Sequence, residues 1–177
     1  GANRGIGHAL VVELLKRSAG KVVCLVRDPS TEPLAQLAAK YGSDRVDCVK
    51  IDLSHPPSID NAAAAVHAAG GGRVDMLLNV AGVLGDGSRD AGPERTARKL
   101  DAAWMQHTFN VNVFGHAALT GALYGNGCLR VGKKKKDGGG RPPAVVGSFT
   151  ARVASIGDNR LGGWYSYRMS KAAMNMF

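Results

Sequence analysis

Gly1-Ala2-Asn3-Arg4-Gly5-Ile6-Gly7 runs without a break into His8-Ala9-Leu10-Val11-Val12-Glu13-Leu14-Leu15-Lys16-Arg17, and this stretch decides the fold. Glycine takes backbone paths that other residues resist, and it lets the chain pass close to a ligand. The apolar-rich run behind the glycines predicts a helix over 8–17. Its first N–H groups lack intrahelical partners and carry a partial positive charge. A glycine turn feeding such a helix start can seat a diphosphate. A plain turn before a helix has the same spacing, so the rest of the chain must decide.

Outward from this turn, helical and strand-like stretches alternate. Strands are predicted over 21–26, 45–51, 75–80 and 144–150, and helices over 32–41, 58–69, 101–123 and 166–177. Ser58 is placed to cap the third helix, and Gly70-Gly71-Gly72 to close it. Short strands separated by helices require crossover connections and a parallel sheet. Such strands are buried on both faces and should read as apolar runs, as KVVCLV and DMLLNV do. The fold class is therefore α/β, a doubly wound parallel sheet. One domain covers 1–177, with a Gly/Lys-rich insert at about 125–143.

Composition narrows the partners. A chain of 177 residues, 45% of them hydrophobic, can bury one ordinary core. No apolar run approaches the roughly 20 residues that cross a bilayer. The net charge is +9, but four lysines sit together at 133–136 beside Asp137 and three glycines, leaving +5 without them. That run reads as a solvated loop, and no aromatic residues interleave it to stack on bases. Neither nucleic acid nor membrane is expected as a partner. Cys24, Cys48 and Cys128 are odd in number and lack metal-ligand spacing, so no disulfide and no metal site are expected. A reducing, cytoplasmic location follows. The chain opens without Met or a signal peptide, which leaves room for a lost N-terminal targeting segment.

The second strand of a nucleotide-binding fold commonly ends in an acid that holds the adenosine ribose. Here it ends Leu25-Val26-Arg27-Asp28. Arg27 can make charge-assisted bonds to a 2′-phosphate, and Arg4 can reach the same group. Both favour NADP(H) over NAD(H), although Asp28, turned inward, would hold a ribose and favour NAD(H). Asp52-Leu53 follows the next strand, where a carboxylate can accept from the adenine amino group. Asn79-Val80-Ala81-Gly82 ends the one after, with small residues for a nucleotide to lie against.

Tyr167 and Lys171 stand four residues apart, on one face of a helix. A free phenol, with a pKa near ~10, is a poor acid–base group at neutral pH, and a nearby ammonium lowers that value. Tyr165 is a rival, but six residues from Lys171 it points elsewhere on the helix.

The glycine turn, Asn79-Val80-Ala81-Gly82, Asn112-Val113-Phe114-Gly115 and the Tyr167/Lys171 helix occur in the order of the short-chain dehydrogenase/reductase family, which the chain resembles. The segment from Ser155 to Lys171 is similar to the C-factor and sniffer-like carbonyl reductase branch. The resemblance implies a Rossmann-type fold and an NADP(H)-dependent oxidoreductase acting on a small-molecule carbonyl or alcohol. Gly1, Asn3, Arg4, Gly5, Ile6, Gly7, Arg27, Asp52, Leu53, Asn79, Ala81 and Gly82 would hold the cofactor. Tyr167 would be the general acid/base. Lys171 would bind the nicotinamide ribose and depress the Tyr167 pKa, and Asn112 would hold a water in a proton relay. A hydroxyl would polarise the substrate carbonyl: Ser155 by spacing, then Thr150, then Ser148, while Ala151 falls where many members carry serine.

The family's first strand should precede Gly1, and further strands, helices and a substrate loop should follow Phe177. The expectation is a fragment, poorly stable alone, of a full-length homo-oligomer. Two other functions compete. One is a nucleotide-binding regulatory protein that keeps the fold but turns over weakly. The other, disfavoured above, is a basic nucleic-acid-binding protein.

Overall fold

The computed structural model describes residues 1–17, 20–85, 93–130, 132 and 142–177. The lysine run at 133–136 and most of the expected insert lie outside the described residues. The element order is α1 (Gly5–Lys16), β1 (Val22–Val26), α2 (Glu32–Tyr41), β2 (Val46–Lys50), α3 (Pro56–Ala69), β3 (Met76–Asn79), α4 (Ala102–Phe109), α5 (Gly115–Gly125), β4 (Val145–Ser148) and α6 (Tyr165–Met176).

Three departures from the sequence expectation bear on the site. Helix α1 starts three residues earlier, inside the glycine turn, because Arg4 is extended and Gly5 takes φ +54°. Helix α3 starts at Pro56 with His55 before it, and Ser58 does not cap it. The Ser58 hydroxyl instead accepts from the Asp52 N–H at 2.9 Å, fastening the helix to the end of β2. The helix expected over 101–123 is interrupted by a π-helical turn, Asn110–Phe114, between α4 and α5. Asp101 caps its start, accepting from the Trp104 N–H at 2.6 Å.

All strand pairs are parallel. β1 lies in register with β2 from Val22↔Val46 to Val26↔Lys50, and β3 with β4 from Met76↔Val145 to Asn79↔Ser148. The two pairs meet at Gly1. Its ammonium donates to the Leu25 carbonyl at 2.8 Å, and a Cβ on it would lie 3.1 Å from the Ala81 backbone. The glycine turn thus starts between the carboxyl ends of β1 and β3, where ligands bind in open α/β sheets.

Helices cover β1 and β2 on both sides, as expected of a doubly wound fold. Leu15, Cys24, Val26, Leu34, Leu37 and Val46 form one cluster with α1 and α2. Ile51, Ile59, Val66, Leu77, Leu119 and Leu123 form another with α3 and α5. Side chains as fully enclosed as Leu15, Leu34 and Leu123 each contribute roughly 2 kcal/mol by leaving water. The expectation of strands buried on both faces fails at the second pair. Met76, Val145 and Val146 are exposed, because no described helix packs over them.

Cys24, Cys48 and Cys128 are all free thiols, and burial pushes Cys24 up to about 12. Among the described residues no group of His, Cys, Asp or Glu could hold a metal ion, and no helix is long and apolar enough to cross a membrane.

Candidate active site

Helix α6 carries the expected pair. Lys171 is 4% exposed; its Nζ donates to the Phe149 carbonyl at 2.8 Å and lies 5.8 Å from the centre of the Tyr167 ring. Tyr165 opens the helix, and the ring packed edge-on against Tyr167 is that of Trp164, 6.4 Å away. Burial pushes the Tyr167 phenol up and the Lys171 ammonium down. The expected lowering of the Tyr167 pKa by Lys171 is therefore not the dominant effect. Desolvation wins while the ammonium is bonded to a main-chain carbonyl.

Asn112 is fully enclosed within the π turn. Its Oδ1 accepts from the Val83 N–H at 2.7 Å, and its Nδ2 donates to the Val83 carbonyl at 2.9 Å and to Ser170 Oγ at 3.0 Å. The side chain imitates a strand partner for the segment after β3 and ties it to α6. A π turn widens the helix locally and recurs at functional sites. The spacing Asn112-Val113-Phe114-Gly115 gave the residue but not this geometry.

Two consecutive small residues connect the pair to the glycine turn. Ala81 abuts Gly1, and a Cβ on Gly82 would lie 3.2 Å from Asn112 Oδ1 and 3.3 Å from Lys171 Nζ. Gly7 packs over Gly1 so closely that a Cβ there would collide with the Gly1 carbonyl. Asn3 is half-buried in the turn, while Arg4 and Ile6 are exposed at the start of α1. That helix start has no side-chain cap and no acidic residue in its first turn, so no described side chain satisfies its first N–H groups.

Arg27 is exposed at the end of β1. Asp28 is exposed: its Oδ1 accepts from the N–H and hydroxyl of Ser30, which hold its carboxyl below the usual range. Asp52 makes the same local turn with Ser54, and these bonds, helped by Arg27, also lower its pKa. Leu53 lies against Gly115, where no side chain would fit. Asn79 is buried and donates to Ser148 Oγ at 3.2 Å.

The candidate hydroxyls are now distinguishable. Ser148 faces Asn79, and Thr150 donates to the Lys171 carbonyl at 3.2 Å. Ser155 is exposed and accepts from the Asp158 N–H at 3.3 Å, giving its own proton to no described residue.

Two site residues had no sequence signal. His116 is buried beneath the turn, with Nε2 2.8 Å from the Ala81 carbonyl; burial pushes it down to about 4, so it is neutral. Glu94, from a segment that reads as polar loop, is buried against Ser166 of α6. Neither side chain belongs to a local pattern, and only the folded chain brings them in.

A family model described as short chain dehydrogenase matches residues 1–141. The chain is 34% identical over 119 residues to the NADPH-dependent 1-acyldihydroxyacetone phosphate reductase of Saccharomyces cerevisiae, covering 66% of this chain and 36% of that one. It is 36% identical over 111 residues to C-signal of Myxococcus xanthus, covering 59% and 52%. It therefore spans about a third to a half of these relatives. The structure of an NADPH-bound carbonyl reductase from chicken fatty liver superposes with a TM-score of 0.80 at 28% identity, over 99% of this chain and 68% of that one.

Proposed function

The chain belongs to the short-chain dehydrogenase family, and from that premise we propose that it is an NADP(H)-dependent oxidoreductase interconverting a carbonyl and an alcohol. One observation carries the reading. Ala81 and Gly82, adjacent in sequence, join the Gly1–Gly7 turn to Lys171 and Asn112, so a dinucleotide seated on the turn would reach the Tyr167 helix.

The residues fit the cofactor. Gly1 and Gly7 pack where a Cβ would strike Ala81 and the Gly1 carbonyl, Gly5 faces open space, and the uncapped start of α1 suits a diphosphate. Arg4 and Arg27 are exposed for a 2′-phosphate, while Asp28 spends one carboxylate oxygen on Ser30. Asp52, Leu53 and Asn79 would line the adenosine side. When bound, the nicotinamide supplies or accepts a hydride. Tyr167 gives its phenol proton to the carbonyl oxygen in reduction and takes it back in oxidation. Burial raises its pKa and so opposes proton release, which an ammonium drawn close to the phenol oxygen would offset. Lys171, released from the Phe149 carbonyl, would bond a ribose hydroxyl and, drawn toward the phenol oxygen, would stabilise phenolate. Asn112 fixes the segment after β3 to α6 and would support the expected proton relay. Ser155, favoured by its spacing from Tyr167 and exposed with its proton given to no described residue, is the hydroxyl that would polarise the carbonyl.

The commitment of the Thr150 proton to the Lys171 carbonyl favours a second reading, a nucleotide-binding regulator with weak turnover. NADPH oxidation against a panel of ketones, aldehydes and quinones separates the two. The oxidoreductase consumes NADPH faster than NADH with at least one compound. A regulator binds NADPH without consuming it. The proposal extends to a cytoplasmic homo-oligomer whose partner is a small molecule.

A further inference from the structure

Helix α6 is preceded by three consecutive left-handed residues, Gly162 (φ +62°), Gly163 (φ +66°) and Trp164 (φ +52°). Left-handed backbone is disfavoured for residues with a Cβ and occurs in single positions, not in runs. Trp164 therefore needs something to hold it there. Among the described residues, Glu94 makes the contacts that do so. Its carbonyl accepts from the Trp164 N–H at 2.5 Å, and a Cβ on Gly163 would press to 3.3 Å from that same oxygen. Its carboxylate accepts from the Ser166 hydroxyl through Oε1 and from the Ser166 N–H through Oε2 at 3.4 Å. Ser166 is the second residue of α6, so its N–H is one of the donors a helix start leaves unpaired. The carboxylate also lies at the positive end of the helix, where an anion is favoured. Glu94 is 3% exposed and Ser166 fully enclosed, so water cannot substitute for either partner.

We propose that Glu94 is a positioning residue for the reaction. From 72 positions earlier in sequence it clamps the left-handed turn and caps the helix, which sets Tyr167 and the Trp164 ring against it. This rests on the oxidoreductase reading for its kinetic consequence, but not for the clamp itself. A shift of about 1 Å in a reacting group can cost on the order of a hundredfold in rate. Glu94 touches neither the glycine turn nor Arg27, so cofactor affinity should not follow it.

The test compares Glu94→Ala, Glu94→Gln and Ser166→Ala in the full chain, each in wild-type and Trp104→Phe backgrounds. The second background leaves Trp164 as the sole tryptophan. With NADPH and 4-nitrobenzaldehyde, or whichever panel compound turns over fastest, Glu94→Ala should lower kcat about ten- to a hundredfold while the NADPH Kd stays within about twofold. Glu94→Gln keeps one acceptor oxygen for the Ser166 N–H, and its NH2 can donate to the Ser166 hydroxyl, so it should restore most of the rate, with Ser166→Ala between. Trp164 fluorescence should shift to the red in Glu94→Ala and not in Glu94→Gln. Unchanged kcat and fluorescence in Glu94→Ala would overturn the proposal, as would a rise in NADPH Kd parallel to the loss of rate. If the wild type consumes NADPH with no compound, the oxidoreductase reading falls, and the fluorescence of these variants still decides the clamp. Should Glu94→Ala fail to fold, Ser166→Ala decides by the same readouts.

Discussion

Replacing Asn112 by alanine removes three hydrogen bonds at once, of 2.7, 2.9 and 3.0 Å, from a position with no solvent access. A typical intramolecular hydrogen bond contributes about 1 kcal/mol net, so the loss comes to about 3 kcal/mol. The half-buried Val83 N–H and carbonyl can recover part of this from water. For a domain of this size each kcal/mol shifts the melting temperature by roughly 2–4 °C, which predicts a fall on the order of 6–12 °C. Thermal unfolding followed by circular dichroism measures it. Ser170→Ala is the control. It removes the bond from Asn112 and the one from Ser170 Oγ to the Tyr167 carbonyl, and should cost clearly less. If Asn112→Ala melts within about 2 °C of the wild type, or Ser170→Ala falls as far, the Asn112–Val83 pairing is not the joint between the segment after β3 and α6.

Two further outcomes follow from the electrostatics. His116 has a folded pKa of about 4 against 6.5, so between these values the unfolded chain binds the extra proton. Its contribution is fully present above pH 6.5 and is lost as pH falls toward 4, a difference of about 3 kcal/mol. His116→Gln should flatten that part of the pH–stability curve, and an unchanged slope would contradict the assignment. Arg27→Ala should weaken NADPH binding about three- to tenfold by titration calorimetry and leave NADH unaffected, because only the former offers a 2′-phosphate to an exposed guanidinium. Equal losses for both would remove Arg27 from the phosphate site.

The parts of the fold that sequence made legible are those governed by local rules. Short apolar runs bounded by turns gave β1, β2 and β3, and the helix expected over 32–41 has those ends in the structure. The glycine turn, Ala81-Gly82, Asn112 and the Tyr167/Lys171 spacing were readable because each has a fixed residue pattern, and the structure brings them together. What depends on long-range partners was not readable. Ser58 looks like a cap until Asp52 is beside it, and Thr150 looks like a catalytic hydroxyl until the Lys171 carbonyl takes its proton. The direction of the Tyr167 shift turns on burial, which a helix drawn in isolation lacks. His116 and Glu94 act on partners 35 and 72 residues away, beyond any local pattern.

The central claim is that the Tyr167 phenol moves the proton while the glycine turn and Lys171 hold the nucleotide. Tyr167→Phe removes one oxygen and leaves every residue assigned to the cofactor in place. The account predicts an NADPH Kd within about twofold of the wild type and carbonyl turnover reduced at least about a hundredfold. Turnover that survives in Tyr167→Phe, or NADPH binding lost together with it, would contradict the account.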